Sequence, residues 1–338
     1  MKIGDNNLDT DVYIIAEAGG CHTGDPDTVY QLVEAAAATG ANAVKFQSYI
    51  AERLVHPDAI PLPIIGKTYR TQQDWFRRLE LDRSVYEKII ELCKNLGIDF
   101  LTTPFDPETL DYFAPHMDAI KVASGDLTYC QLIDAAVATG KPVILSTGLA
   151  SIEEIKVAAQ RIPESQLILL HCVSVYPTPA ELVNLTAIKT LQKEFPDTPI
   201  GFSDHSIGAE ACIAAVALGA RVIEKHFTLD STQRPGDHIL SLEPDQMKSM
   251  VSQIRAVNKM AGDGNCQAGD AELQMREQMQ RGVYYASDLA AGHVLKPEDF
   301  MIVRPRSDLQ PVDVESLIGK SLQGPVTVAA AVSFKDAE

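Results

Sequence analysis

Short runs of β-branched and aliphatic residues recur through the first two thirds of the chain, each bounded by turn formers: VYIIAEA from Val12, NAVKFQS from Asn42, DFLTTPF from Asp99, AIKVAS from Ala119, PVILSTG from Pro142, LILLHCVS from Leu167, IGFSDHS from Ile200 and RVIEKHF from Arg221. Their apolar cores are continuous, not alternating, which is the pattern of parallel strands covered on both faces. Between them lie amphipathic or alanine-rich segments such as TVYQLVEAAAATG and RSVYEKIIELCKNLG. Several of these end in a glycine just before the next strand (Gly40, Gly97, Gly140, Gly219), where a left-handed cap closes a helix. Repeated strand-helix units over roughly 260 residues predict an α/β chain folded as a closed (β/α)8 TIM barrel. The rival, an open doubly wound sheet, lacks its usual marks: no GxGxxG follows the first strand and no Walker sequence occurs.

The connection from Tyr49 to about Leu79 far exceeds the roughly 2 to 6 residues usual between a strand and its helix. It reads either as a lid or as an ordered insertion packed on the barrel rim through Trp75 and Phe76. After Met260 the pattern changes. AGDGNCQAGD is linker-like, AELQMREQMQ suggests a short helix, and from Arg281 glycines and prolines punctuate short β-rich stretches. The expected organisation is a barrel over 1–260, a linker over 261–280 and a small β-rich domain over 281–338.

Composition changes this picture only by exclusion. With 46% hydrophobic and 22% charged residues the chain is globular and not disordered. A formal charge of -17 repels phosphate backbones, so nucleic acid is not an expected partner, and an anionic substrate needs a local basic pocket. The amino terminus has neither the basic start nor the apolar stretch of a signal peptide, and no run is long enough to span a bilayer, so the expectation is cytoplasmic with no membrane partner. Six scattered cysteines without a CxxC pair read as reduced thiols and are assigned no chemistry.

In a barrel of this kind the chemistry sits at the carboxyl ends of the strands. Those ends carry Glu17, Lys45 with Gln47, Thr103, Lys121 with Ser124, Ser146, Ser174, Ser203 with His205, and Glu224 with His226. Lysine inside an apolar strand is costly to bury unless it meets negative charge. Lys45 and Lys121, with the hydroxyls of Thr103, Ser124 and Ser146, therefore suit a phosphate and a carboxylate on one small anion, unless an internal pair with Glu17 or Asp126 neutralises them. His205 and His226 end neighbouring strands beside Glu224 and could share a divalent ion with open positions. His22 and His171 read as supporting or structural, and His116 carries no chemical signal.

At this point the motifs IIAEAGGCHTGD, AVKFQ, TTPFD, IKVASGD, LLHCVSVYPTP, GFSDHSIG, VIEKHFTLD and PGDHILSLEPDQ resemble, in order, those of the sialic acid synthase family. The tail, with YYASDLAAGHVL, VRP and LIGKSL, resembles that family's antifreeze-like (SAF) domain. The resemblance implies an enzyme that condenses phosphoenolpyruvate with the aldehyde of an open-chain N-acetylated amino sugar, N-acetylmannosamine or a diacetamido-trideoxyhexose, using Mn2+ or alternatively Mg2+ or Co2+. It implies that His205 and His226 ligate the metal and that Lys45, Thr103, Lys121, Ser124, Ser146 and Ser203 hold phosphoenolpyruvate. Gln47, Asp126, Ser174, Tyr176, Asp237 and Arg304 then surround the sugar, and Glu17 and Glu224 orient water or carry protons. It also implies a swapped homodimer in which Arg304 covers the partner's sugar site.

The sequence departs from the family pattern on the sugar side. NHNG is replaced by Cys21, His22, Thr23 and Gly24, a frequent asparagine by Ser174, and RPGxGI by Arg304 to Leu309. Two other readings use the same residues. A Schiff-base aldolase would make Lys121 or Lys45 the nucleophile and leave both histidines idle. A non-catalytic protein would dock through the tail, at the cost of keeping charged strand ends without a ligand.

Overall fold

Each apolar run forms a strand: β1 (Tyr13–Glu17), β2 (Ala43–Ser48), β3 (Asp99–Pro104), β4 (Ile120–Val122), β5 (Val143–Ser146), β6 (Leu167–Cys172), β7 (Ile200–Asp204) and β8 (Val222–His226). The computed structural model describes residues 1–66 and 68–338. All eight strands are parallel and lie in one sheet, in the order β3-β2-β1-β8-β7-β6-β5-β4. β3 and β4 pack side by side to close the ring, although no ladder joins them. Near that seam the Thr102 N–H finds Met117 Sδ at 3.2 Å instead of a carbonyl.

The helices form where the sequence caps them. In α1 (Pro26–Thr39) the Asp25 side chain accepts from the Thr28 N–H, a proline opens the first turn, and Val29, Leu32, Val33 and Ala36 recur at the spacing that buries one face. Each buried aliphatic side chain of this kind contributes roughly 1.5–3 kcal/mol. Gly40, Gly97, Gly140 and Gly219 follow their helices at φ of 81°, 69°, 71° and 97°, the left-handed values expected of them.

Register then aims the chemistry. β8 pairs with β1 so that His226 lies beside Glu17, β1 with β2 so that Glu17 lies beside Lys45, and β7 with β8 so that Ser203 lies beside Glu224. The polar strand ends thus meet at one end of the ring.

The described residues of the long insertion are folded. It carries one helical turn at Ala51–Leu54 and an amphipathic helix α2 (Gln72–Leu79) capped by the Thr71 side chain. Tyr49, Ile65, Trp75 and Leu79 form a small core of their own, with Ile64, Tyr69, Phe76 and Phe105 packed against it. Lys67, within the stretch read as a lid, lies outside the described residues.

The chain divides into two compact units, Met1–Gly262 and Asp263–Glu338. The second takes in most of the stretch expected to be linker, including the helix α3 (Asp270–Met279). Its antiparallel pair β9 (Gly282–Tyr285) and β10 (Phe300–Val303) covers a core of Val283, Tyr285, Leu295, Leu309, Leu317, Leu322 and Val332. So small a unit buries little surface, and its turns are tied locally, the Lys296, Gln310 and Ser333 N–H groups donating to Asp299, Asp313 and Asp336. Among the described residues no helix is long and apolar enough to cross a membrane.

Among the described residues the one glycine inside a barrel strand is Gly201 in β7, where an added Cβ would stand 2.3 Å from the Val222 carbonyl oxygen and 2.4 Å from Leu170 Cδ2. Gly201→Ala should cost about 1–3 kcal/mol as overpacking, read as a lower melting temperature by calorimetry. An unchanged melting temperature would mean that β7 and β8 are free to separate.

Candidate active site

A cavity of about 700 Å³ opens at the carboxyl ends of the strands, large enough for a three-carbon acid and a hexose together. Glu17, Lys45, Gln47, Thr103, Lys121, Ser124, Ser146, Ser174, Tyr176, Ser203, His205, Glu224, His226 and Asp237 all line it, so residues spread over more than two hundred positions of sequence meet in one space. Asp126 does not line it. It sits one residue past Gly125 in the turn after β4, where its Oδ2 is buried without a partner. Arg304 belongs to the second unit and is exposed there.

The two lysines, matched in the sequence, have opposite surroundings. Lys45 touches Glu17 Oε2, lies 3.8 Å from Glu224 Oε2 and donates to Thr103 Oγ1 at 2.9 Å. Burial works against its charge, but Glu17 and Glu224 outweigh burial and hold it above the usual lysine value. Lys121 donates only to the Val122 carbonyl oxygen, at 2.9 Å, and among the described residues no carboxylate stands within ion-pair distance of it. Burial, only partly offset by Glu224 and reinforced by the like charge of Lys45, holds it below the usual lysine value. It is a cation at 3% exposure that lacks an anion.

Glu17 and Glu224 are held rigidly. Glu17 Oε1 accepts from the Gly19 N–H and from Gln47 Nε2, each at 3.0 Å. Ser203 Oγ donates to Glu224 Oε1 at 3.0 Å, while Glu224 Oε2 is buried without a hydrogen-bond partner. Burial raises the Glu224 carboxyl, but Lys45, Lys121 and the Ser203 hydroxyl bring it below the usual glutamate range, so it is ionised at neutral pH.

The imidazoles of His205 and His226 lie with ring centroids 5.3 Å apart. His205 Nδ1 is 2.9 Å from the Val173 carbonyl oxygen, a contact that places the proton on Nδ1 and leaves Nε2 with its lone pair. Burial and the neighbouring His205 hold His226 well below the imidazole range, and its Nδ1 is buried with no hydrogen-bond partner, 3.6 Å from Asp237 Oδ2. Burial lowers His205, but Cys172 and the Val173 carbonyl oxygen outweigh it and hold the ring above the usual imidazole value, so the two rings, with His205 Nε2 and His226 Nδ1 unpaired, fit a divalent ion that takes His205 in its neutral form. Among the described residues no group of three or more histidine, cysteine, aspartate or glutamate side chains is placed to hold a metal ion, so the fit rests on these two imidazoles alone.

The model for the NeuB family matches residues 32–266, and that for the SAF domain matches residues 280–337. The chain belongs to the NeuB family. It is 34% identical over 321 residues to the N,N'-diacetyllegionaminic acid synthase of Legionella pneumophila, covering 92% of this chain and 90% of that one. It is 31% identical over 319 residues to the N-acetylneuraminate-9-phosphate synthase of Homo sapiens, covering 92% and 88%. Of solved structures, the N-acetylneuraminic acid synthetase of Leptospira borgpetersenii in complex with citrate shares 34% identity and a TM-score of 0.73, covering 81% of this chain and 94% of that one.

This NeuB-family cavity also contains residues that strand-end reasoning missed. Leu62, Ile64, Ile65, Trp75 and Phe76 of the insertion, with Phe105, Leu149 and Val175, give it an apolar outer wall. Apolar residues on a loop carry no chemical signal in sequence. Cys172, assigned no chemistry, lines the cavity and stands 3.8 Å from His205 Nδ1. Gly20 is required by close approach, since a Cβ there would meet Asp237 Oδ2 at 2.2 Å. His171 is structural, its Nε2 lying 2.8 Å from the Val183 carbonyl oxygen.

Burial, opposed by Lys121, pushes the Asp126 carboxyl up from its model-compound value of 3.8 to about 6. A carboxyl raised on folding weakens the native state once it must ionise, so this penalty is absent below about pH 4 and complete above about pH 6. Asp126→Asn should therefore melt higher than the native protein above pH 6, with the difference vanishing toward pH 4 in paired thermal scans. A difference independent of pH would place Asp126 in a solvated environment.

Proposed function

We propose that this chain condenses phosphoenolpyruvate with the aldehyde of an open-chain N-acetylated amino sugar, giving a nine-carbon 2-keto acid of the sialic type and inorganic phosphate. The observation that carries this reading is Lys121, a buried amine facing the cavity with no carboxylate within ion-pair distance among the described residues. Its need for negative charge, beside the Ser124, Ser146 and Thr103 hydroxyls and the Lys45 ammonium, is met by a small molecule carrying both phosphate and carboxylate. The named synthases among its relatives support the same reaction class.

Carbon 3 of phosphoenolpyruvate bonds to the aldehyde carbon, whose oxygen takes up a proton. The oxygen of a water adds to carbon 2 and loses one proton, the bond from that carbon to the phosphate oxygen breaks, and the new hydroxyl gives its remaining proton to the departing phosphate, leaving the 2-keto group. A divalent ion, Mn2+ or else Mg2+ or Co2+, held by His205 and His226, would supply Lewis-acid polarisation of the aldehyde when bound. Lys121 and the serine hydroxyls fix the anion, so that a two-substrate encounter becomes a positioned one. Glu17 and Glu224, both facing Lys45, stand where they can align water and accept its proton. The apolar wall excludes bulk water and suits acetamido methyl groups, while Gln47, Tyr176 and Asp237 offer polar partners to the sugar. The six free thiols support action in a reducing, cytoplasmic compartment.

The test incubates the protein with phosphoenolpyruvate, Mn2+ and a panel of N-acetylated aldoses, reading phosphate release and product mass. Turnover should stop in excess chelator and return with Mn2+, and Lys121→Met should raise the KM for phosphoenolpyruvate at least tenfold with little change for the sugar. Full activity in chelator would remove the metal from this reading, and trapping of a pyruvate adduct by borohydride would favour the Schiff-base alternative.

On the same reading Arg304 serves the sugar site of a partner subunit in a swapped homodimer, a guanidinium being suited to an acetamido oxygen. Mixing inactive His205→Ala with inactive Arg304→Ala protein should restore activity after subunit exchange, since one hybrid site is then intact. A mixture that stays inactive once exchange is shown would confine Arg304 to its own subunit.

A further inference from the structure

The alternation that turns Ser203, His205, Glu224 and His226 toward the cavity turns the residues between them away from it. Those are Asp204 and Lys225, direct partners across β7 and β8 and respectively 1% and 0% exposed. Among the described residues no other ion pair is so deeply buried. Lys225 Nζ donates to Asp204 Oδ2 at 2.8 Å and also to the Ser206 carbonyl oxygen. Asp204 Oδ1 accepts from the Ser206 N–H at 2.8 Å, and Cys212 Sγ, on the helix Glu210–Ala217, donates to Asp204 Oδ2 at 3.4 Å.

A buried ion pair seldom stabilises a fold more than a well-packed apolar pair of the same volume. What this pair adds is geometry. It ties residues 204 and 206 to one ammonium, so His205 is clamped at both of its peptide neighbours. The His205 carbonyl oxygen also accepts from the Thr178 N–H at 2.9 Å, and its ring is tied to Val173. On the other strand the same ammonium belongs to the residue between Glu224 and His226. The contact thus locks, beside the backbone ladder of β7 and β8, the height at which the two imidazoles face each other.

We infer that Asp204 and Lys225 are positioning residues for the cavity: their ion pair, on the far side of the strands from the substrates, holds His205 and His226 at the separation that lets both nitrogens address one ion. The inference rests on the metal-dependent reading above. A merely structural staple makes a different forecast, because an apolar pair would then serve as well.

The test uses the full-length protein and two variants, Asp204→Asn and the double variant Asp204→Leu with Lys225→Met. Melting temperature, Mn2+ affinity by calorimetric titration, imidazole proton–nitrogen spectra of the metal-free protein and steady-state kinetics are compared. The double variant should melt within a few degrees of the native protein, yet bind Mn2+ at least tenfold more weakly. Its His205 and His226 ring signals should move, and kcat should fall at least tenfold while the KM for phosphoenolpyruvate stays within about threefold. Asp204→Asn should show the same pattern to a smaller degree. Native Mn2+ affinity with unmoved ring signals in the double variant would overturn the inference, as would failure of both variants to fold, which would make the pair a strand staple alone. A native protein that binds no Mn2+ would instead overturn the metal reading, and the ring signals would still decide the positioning role.

Discussion

The structure depends on keeping charged side chains buried at the mouth of a barrel whose strands are otherwise apolar. A buried ammonium or carboxylate is tolerated only where another charge or several hydrogen bonds meet it. Lys45 is met internally by Glu17 and Glu224, and Lys121 is not. That asymmetry divides the cavity into a part where two carboxylates face one lysine and a part where a lysine has no carboxylate within ion-pair distance among the described residues.

Strand register makes the arrangement possible. A shift of one residue in β8 would turn Glu224 and His226 outward and bring Lys225 into the cavity, so the Lys225–Asp204 pairing and the His226–Glu17 pairing must hold together. The close approach at Gly201 and the outer ion pair both lie on β7 and β8, the strands that carry the two imidazoles. Packing, charge and site geometry are thus concentrated on the same pair of strands.

The insertion after β2 shows how a long loop becomes part of a site. Its own small core orders it, and the side chains that form this core or flank it also wall the cavity: Ile65, Trp75 and Leu79 do both. The two readings of that segment, rim packing or cover over the substrates, meet in one set of residues.

The eight strands, their helices and glycine ends, and the clustering of polar residues at strand ends were legible in the sequence. They follow from local periodicity, from the cost of burying charge and from the rule that barrel chemistry sits at one end. The extent of the second unit was less so, because the compositional signs of a linker at Ala261 to Asp270 do not exclude contacts made further along the chain. Sequence could present Lys45 and Lys121 only as a matched pair, since each stands in an apolar strand and both lie near acidic residues along the chain. Which of them is neutralised was decided by distances of a few ångströms between strands far apart in sequence. The same holds for Asp126, which shares a motif with Ser124 yet turns out of the cavity, and for Asp204 and Lys225, whose partnership across the barrel wall exists only once register is set. Local pattern determines which residues are strand, helix or polar end, and the burial and partners of each charge belong to the closed ring.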